Sequence, residues 1–248
     1  MRYADDILLF AKSLKELQNM MTALIEELGE IGLNLNAAKT KIITNEVQDD
    51  NFVMIGDVKV DVIEENGTHK YLGRYLPGVF ENRGNIEITH RIQCAWYKFH
   101  RHSSTLCNKN VSIKLRLKLF DATVSPSLLF GLSVLPISHA NMTKLLVCQR
   151  KMLRKIVGWV WCPGKSWESI MHIMKIKVEN AMQQYLVKPW DERIRKMRAK
   201  YLNRLASMPN ARWEKLSLDW SPIEVVDYSQ DHVAYRLQGR PLLRWTDA

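Results

Sequence analysis

Apolar positions change period along this chain, and the changes divide it. Ile7-Leu8-Leu9-Phe10 is a continuous apolar block too short for a free helix. With Tyr3-Ala4-Asp5-Asp6 before it, the segment 3–10 predicts a turn running into a buried strand. Ser13, with Glu16 three residues later, forms a capping box. Leu14, Leu17, Met21, Leu24, Ile25, Leu28 and Ile31 then recur at helical spacing until Gly32 supplies a stop. Leu33-Asn34-Leu35-Asn36 alternates as a half-buried strand does, and Lys39-Thr40-Lys41 leads into Ile42-Ile43. The opening therefore predicts strand, helix, strand. Between Phe52 and Ile63 the residues Val53, Ile55, Val58, Val60 and Ile63 flank Gly56-Asp57, which suits a hairpin turn. A short β-ribbon and Tyr71-Leu72-Gly73 follow.

After Gly78 the period is helical, over about 86–105, 111–124, 140–157, 166–186 and 190–206. Pro126, Pro136, Gly158 and Pro163-Gly164 are read as the separators. A boundary is expected near residues 77–85. Trp159, Trp161 and Trp167 read as core or interface anchors, while the Trp-rich stretch from Ser207 gives no clear pattern.

Composition narrows the class. The 248 residues are 46% hydrophobic, which supplies real cores and excludes a disordered tail. A net charge of +10 favours a polyanionic partner, with nucleic acid ahead of a membrane surface. No run approaches the roughly 18 apolar residues of a membrane span, so the chain reads as intracellular, nuclear or cytoplasmic, with no membrane partner. Cys94, Cys107, Cys148 and Cys162 lack the spacing of a secreted disulfide framework and read as reduced thiols. The Cys94, His100, His102, Cys107 set matches none of the common zinc spacings. No nucleophile elbow or glycine-rich phosphate loop occurs.

Asp5 and Asp6 are the chemical candidates. Two-metal phosphoryl transfer needs carboxylates that converge on paired cations. Adjacent residues on a strand point to opposite faces, so one of the pair serves as principal ligand and the other as helper, and a third carboxylate has to come from elsewhere.

Arg2-Tyr3-Ala4-Asp5-Asp6-Ile7-Leu8-Leu9-Phe10 resembles the catalytic Tyr-x-Asp-Asp hairpin of reverse transcriptases. The capped helix with Gly32-Leu33-Asn34-Leu35-Asn36 and Lys39-Thr40-Lys41 resembles the next palm motif. Lys70-Tyr71-Leu72-Gly73 resembles the primer-gripping element of the non-LTR (LINE-type) retrotransposon subfamily, which it fits better than a group II intron-type maturase. Lys114 through Phe120, Pro126 through Gly131 and Arg150 through Gly158 are similar to the helical thumb and connector of those elements, and Gly239-Arg240-Pro241 with Arg244-Trp245 echoes a terminal motif.

The resemblance implies an α+β chain: a partial palm over 1–77, a helical thumb over 78–158 and a helical connector-like tail over 159–248. It implies Asp5 as main metal ligand and Asp6 as its partner, with Mg2+ or Mn2+ as cofactor. Tyr3 would lie near the primer–template minor groove, and Tyr71 and Gly73 in the primer grip. Lys39 matches the palm lysine that protonates pyrophosphate, with Lys41 as the alternative. The partners implied are an RNA template, a DNA primer and deoxynucleoside triphosphates once the palm is complete. In this family the fingers and the strand bearing the other catalytic Asp precede the hairpin. The expectation is therefore a C-terminal fragment of an RNA-directed DNA polymerase that is inactive alone. The alternatives are a non-catalytic nucleic-acid-binding remnant and a subunit that completes its palm with another polypeptide.

Two basic clusters accompany the helices. Lys114 and Lys118 lie one turn apart, with Lys109 and Arg116 nearby, and read as phosphate contacts while Leu115, Leu119 and Phe120 face inward. Arg193, Arg195 and Lys196 belong to a denser run from Lys188 to Arg204 that also carries Trp190 and Tyr201.

Overall fold

The computed structural model describes residues 2–44, 50–78, 83–160, 162–219, 224–225 and 234–235. Trp161 and the Gly239-Arg240-Pro241 and Arg244-Trp245 motifs lie outside them. The chain divides into two compact units, Met1–Glu87 and Ile88–Ala248.

The first unit opens on β1 (Arg2–Tyr3) and β2 (Asp6–Ile7), an antiparallel pair with Tyr3 opposite Asp6 and Arg2 opposite Ile7. The expected buried strand over 3–10 is not formed. Only these short pieces pair, and Tyr3 (67% exposed) and Phe10 (67%) face solvent, because no further strand among the described residues covers them.

Helix α1 (Leu14–Glu30) starts where the capping box places it. Ser13 Oγ accepts from the Glu16 amide at 3.3 Å, but the return bond is made one residue earlier than the motif implies, with the Lys12 amide donating to Glu16 Oε2 at 2.8 Å. At the far end Gly32 takes φ +75, and the Leu33 amide reaches back to the Leu28 carbonyl at 2.8 Å. Ile31 is past the last helical residue and 70% exposed, so it leaves the packed stripe.

Leu33–Asn36 is not a strand. Asn36 instead builds a turn, its Oδ1 accepting from the Lys39 amide at 3.2 Å and its carbonyl from the Thr40 amide at 3.0 Å. Local side-chain hydrogen bonding by asparagine outweighs a four-residue alternation. The strand begins later, as β3 (Lys41–Ile42).

β4 (Phe52–Ile55) and β5 (Val58–Val62) form the expected hairpin around Gly56-Asp57, with Ile55 opposite Val58. β3 pairs with β5 in parallel, giving the order β3-β5-β4. Val53, Ile55 and Val60 alternate inward and, with Met21 and Ile42, make this unit's core. α1 is also tied to the sheet edge by Gln18 Nε2, which donates to the Met54 carbonyl at 3.2 Å.

β6 (Thr68–Tyr71) and β7 (Arg74–Pro77) form a separate ribbon. Its two-residue turn has Leu72 at φ 46 and Gly73 at φ 75, the positive pair that a type I′ turn requires. Gly78 closes the ribbon's base: a Cβ there would meet the Glu64 carbonyl oxygen at 2.2 Å, so only glycine fits.

The second unit is helical. α2 (Arg83–Arg101), whose first turn belongs to the first unit, α3 (Ser103–Leu106), α4 (Ile113–Leu129), α5 (His139–Val157), α6 (Trp167–Gln184), α7 (Trp190–Ala206) and α8 (Trp213–Asp219) run in sequence. Two-residue strands β8 (Glu224–Val225) and β9 (Ala234–Tyr235) pair beyond them. Ser112, Ser138 and Ser166 cap α4, α5 and α6 through their hydroxyls.

One core joins Phe99, Leu117, Phe120, Val124, Leu128, Leu145, Met152, Trp190 and Ile194, so residues on both sides of Gly158 share it. Pro126 does not separate helices. It sits inside α4, which continues to Leu129 because Val124, Ser125, Leu128 and Leu129 around it are all buried. Packing on several sides outweighs the one backbone bond a proline removes. Among the described residues no helix is long and apolar enough to cross a membrane.

Candidate functional site

The β1–β2 hairpin presents Ala4 and Asp5 at its tip, with Asp6 in the first position of the return strand. Ala4 takes φ 50, a left-handed conformation that a residue with a Cβ adopts at some cost. Tyr3, Asp5 and Asp6 are all exposed. Neither carboxylate forms an ion pair with a described lysine or arginine, so both retain acceptor-only oxygens toward solvent, the chemistry a hard cation takes. Two carboxylates are a partial set for such a cation, which completes its shell with water and substrate phosphate. No group of three His, Cys, Asp or Glu side chains gathers among the described residues.

Asp6 has an electrostatic neighbour in the first unit. His69, on β6, has its pKa lowered first by partial burial and then by the positive charge of Lys41, with Asp6 opposing. The hairpin's second aspartate, the ribbon that carries Tyr71 and the β3 lysine thus share one electrostatic neighbourhood. Neither His69 nor this grouping is signalled by the sequence pattern, because His69 stands one residue before the resembling Lys70-Tyr71-Leu72-Gly73 and makes no motif of its own.

The two candidate lysines separate. Lys41 Nζ pairs with Asp61 Oδ2 at 2.5 Å across the parallel β3–β5 pair. That partner holds the Asp61 carboxyl below its ordinary pKa, chiefly through the hydrogen bond and then through the Lys41 charge. Lys39 is exposed at the end of the Asn36 turn and makes no ion pair among the described residues.

Tyr71 is half-buried at the end of β6, and Gly73 sits in the I′ turn beside it. The ribbon is held by Glu87, which was not singled out from sequence. Its buried carboxylate accepts from the Tyr75 amide at 3.1 Å and lies 3.9 Å from Arg74 Nε. A lone glutamate in a helical stretch gives no sequence signal of this role.

In the second unit Lys114 and Lys118 are exposed on α4. With Asp121 and residues 184–187 they line a cavity of about 590 Å³. Two neighbours depart from expectation. Leu115 is 59% exposed, and Arg116 is buried, donating from Nε to the Val111 carbonyl at 3.0 Å and from Nη1 to the Ile156 carbonyl. The inward stripe of α4 is Leu117, Phe120, Val124 and Leu128, which turns position 115 away and position 116 toward α5.

The α7 cations are engaged with carboxylates. Arg193 Nη1 pairs with Asp121, Arg195 Nη2 with Asp191 Oδ2 at 3.0 Å, and Lys196 Nζ with Glu192 Oε1 at 2.9 Å. Lys196, then the further cations around it, lower the Glu192 pKa. Arg198 is buried, donating to the Leu135 carbonyl at 3.0 Å, with its pKa lowered by desolvation. Trp190 is not a surface aromatic. It is fully buried, stacked on Phe120 at 6.0 Å, with its indole N–H donating to Ser125 Oγ at 3.0 Å.

The comparisons with known proteins bear on the first unit most directly. Residues 1–76 match the reverse transcriptase (RNA-dependent DNA polymerase) family. The reverse-transcriptase match therefore covers the hairpin, Lys39, Lys41, Tyr71 and Gly73. Across its whole length the chain is 26% identical to a transposon-derived protein of Caenorhabditis elegans, covering 82% of that protein. Over 87% of its length it is 27% identical to the RNA-directed DNA polymerase from mobile element jockey of Drosophila funebris, of which it spans 23%. Together these support a relationship to the reverse transcriptases of mobile elements. No solved structure matches the chain.

Proposed function

We propose that this chain carries the catalytic hairpin, the following palm elements and the thumb of a LINE-type retrotransposon reverse transcriptase, with RNA-templated DNA synthesis as its inherited reaction. The observation that carries the reading is a pair of exposed adjacent carboxylates, Asp5 in a two-residue turn and Asp6 at the start of the return strand, inside the segment that matches the reverse transcriptase family. In this reading residues 1–77 are palm, 78–158 thumb and 159–248 connector.

Asp5 is the principal metal ligand and Asp6 its helper. Mg2+ or Mn2+ held there would acidify the primer 3′ hydroxyl and neutralise charge on the departing pyrophosphate. Lys39, with no competing carboxylate among the described residues, stands as the proton donor to pyrophosphate. Tyr3 lies along the primer–template minor groove, Tyr71 and Gly73 grip the primer, and Lys114 and Lys118 hold backbone phosphates. Arg193, Arg195 and Lys196 contribute less, since each would have to leave a carboxylate first.

The isolated chain is expected not to polymerise, because Asp5 and Asp6 gather no third metal-binding side chain among the described residues. That same observation favours the second reading, a nucleic-acid-binding remnant or a subunit completed by another polypeptide. Primer extension on an RNA template in Mg2+ separates them. The chain alone should give no product. Adding a separately expressed fingers-palm piece should restore synthesis that Asp5→Ala abolishes. Template binding without synthesis in either arrangement would leave the remnant, and extension by the chain alone that Asp5→Ala removes would overturn the expected inactivity.

A further inference from the structure

Part of the free positive charge of the second unit lies outside its most basic run. Around the end of α5, Lys151, Arg154 and Lys155 form no ion pair among the described residues, whereas Arg193, Arg195 and Lys196 are each bound to a carboxylate. These three cations edge a cavity of about 570 Å³ that, among the described residues, no aspartate or glutamate lines. Its volume lies in the range of about 300–1,000 Å³ usual for sites that take an organic group.

The rest of the wall is aromatic. Trp96 and His100, one helical turn apart on α2, stack with ring centroids 5.5 Å apart and planes 26° apart. Trp96 is steadied by Phe99, edge-on at 5.5 Å. Across the cavity Trp159 stacks on Trp167 at 5.6 Å and remains 45% exposed, Trp167 64%. Of the two roles expected for Trp159 and Trp167, core or interface anchors, their exposure removes the first. Large exposed aromatics beside unpaired cations are costly to leave in water, and they suit a ligand with a flat π-face and attached negative charge. A carboxylate-rich peptide would satisfy the cations but would leave the stacked rings without a planar partner.

We propose that this cavity is a single-stranded nucleic-acid subsite, in which an unpaired base stacks among Trp96, His100 and Trp159 while its flanking phosphates lie against Lys151, Arg154 and Lys155. Every base has a π-face, so stacking of this kind is tolerant of sequence, and the cations add a salt-dependent contribution. The subsite goes beyond the polymerase reading of the hairpin and stands whether or not Asp5 and Asp6 support synthesis.

The test is fluorescence anisotropy of the full chain with a short labelled oligoadenylate, its deoxy counterpart, and a deoxy strand of equal length with abasic positions in its centre. The intact deoxy strand should bind about tenfold more tightly than the abasic one. Trp159→Ala should bring it down to the abasic level, and Trp159→Phe should keep the preference. Lys151→Glu and Lys155→Glu should weaken all three strands and each flatten the salt dependence by roughly 0.7 in slope. Comparing the oligoadenylate with its deoxy counterpart tells whether the subsite takes RNA, DNA or both. Equal binding of the intact and abasic strands, or a preference that survives Trp159→Ala, would overturn the proposal. Because Trp159 is half-exposed, an unchanged urea midpoint is expected for its variants; if Trp159→Ala unfolds, the preference should instead be lost in Trp159→Leu and kept in Trp159→Phe and in Lys151→Glu/Lys155→Glu, and a preference that survives Trp159→Leu overturns the proposal.

Discussion

Lys41 Nζ sits 2.5 Å from Asp61 Oδ2, joining the two strands of the parallel β3–β5 pair. Two residues earlier, Lys39 makes no such bond. Where the complemented polymerase is active, Lys39→Ala should therefore lower kcat by about 10²–10⁴, the usual contribution of a positioned proton donor. Lys41→Ala should leave kcat within a few-fold and act on stability instead. Single-turnover extension of both variants checks this, and the opposite ranking would reassign the role to Lys41.

The same pair sets an acid dependence. Lys41 holds the Asp61 carboxyl below its ordinary value of 3.8 in the folded state. The unfolded chain then binds the proton more readily, so the pair's stabilisation is present above about pH 4 and is lost as pH falls through the lowered folded pKa. Urea titrations of the native chain and Asp61→Asn should differ at pH 7 and converge in strong acid. A difference that persists unchanged into acid would refute the coupling.

Arg116 and its neighbours on α4 should behave oppositely. Arg116 is buried and ties the Val111 and Ile156 carbonyls, so Arg116→Met should cost roughly 2–4 kcal/mol of stability while leaving the salt slope of nucleic-acid binding unchanged. Lys114→Ala and Lys118→Ala should hardly change stability, and each should reduce that slope by about 1 if it meets a phosphate. Denaturation and salt-titrated binding of the three variants read both effects.

Trp190 is the hub of a buried polar network. Its backbone amide donates to Gln149 Oε1 at 3.0 Å, its indole N–H to Ser125 Oγ at 3.0 Å, and Gln149 Nε2 donates to the Lys188 carbonyl at 3.1 Å. Ser125→Ala leaves a buried indole donor unsatisfied and should cost about 1–3 kcal/mol. Gln149→Leu orphans two backbone groups and should cost more. Urea unfolding of each variant tests the order.

Burial pushes the Cys148 thiol up to about 11, against the opposing charge of Lys151 and a hydrogen bond from Trp96. With the folded pKa above the ordinary 9.0, the thiol's contribution to stability is intact below pH 9 and is lost as pH rises toward 11. Cys148→Ala should therefore flatten the alkaline fall in stability. In thiol labelling at neutral pH the exposed Cys107 should react first and Cys148 only on unfolding. Early labelling of Cys148 would contradict this burial.

Features whose causes are local were readable in advance. Ser13 with Glu16 announced α1, and Gly56-Asp57 the β4–β5 hairpin, because a cap and a tight turn depend on a few consecutive residues. The candidate carboxylates were readable for the same reason: Tyr3-Ala4-Asp5-Asp6 is contiguous. Leu33–Asn36 misled because its alternation is too short to outweigh the Asn36 turn, and Pro126 misled because a packed helix tolerates the bond it removes. Glu87 and the Lys41–Asp61 pair were not readable, since each joins residues 12–20 positions apart.

By itself the sequence determined the start of α1, the β4–β5 hairpin, the basic character and the contiguous Tyr3-Ala4-Asp5-Asp6 set, for these follow from period, charge and neighbouring residues. Tertiary structure alone decided which charges are free. It buried Arg116 and Arg198, bound Arg193, Arg195 and Lys196 to carboxylates, and left Lys39, Lys151, Arg154 and Lys155 with no ion pair among the described residues. It also sent Trp190 inward and Trp159 outward. Composition counts charges and rings, but a charge's availability and a ring's role depend on what other elements bring within a few ångströms.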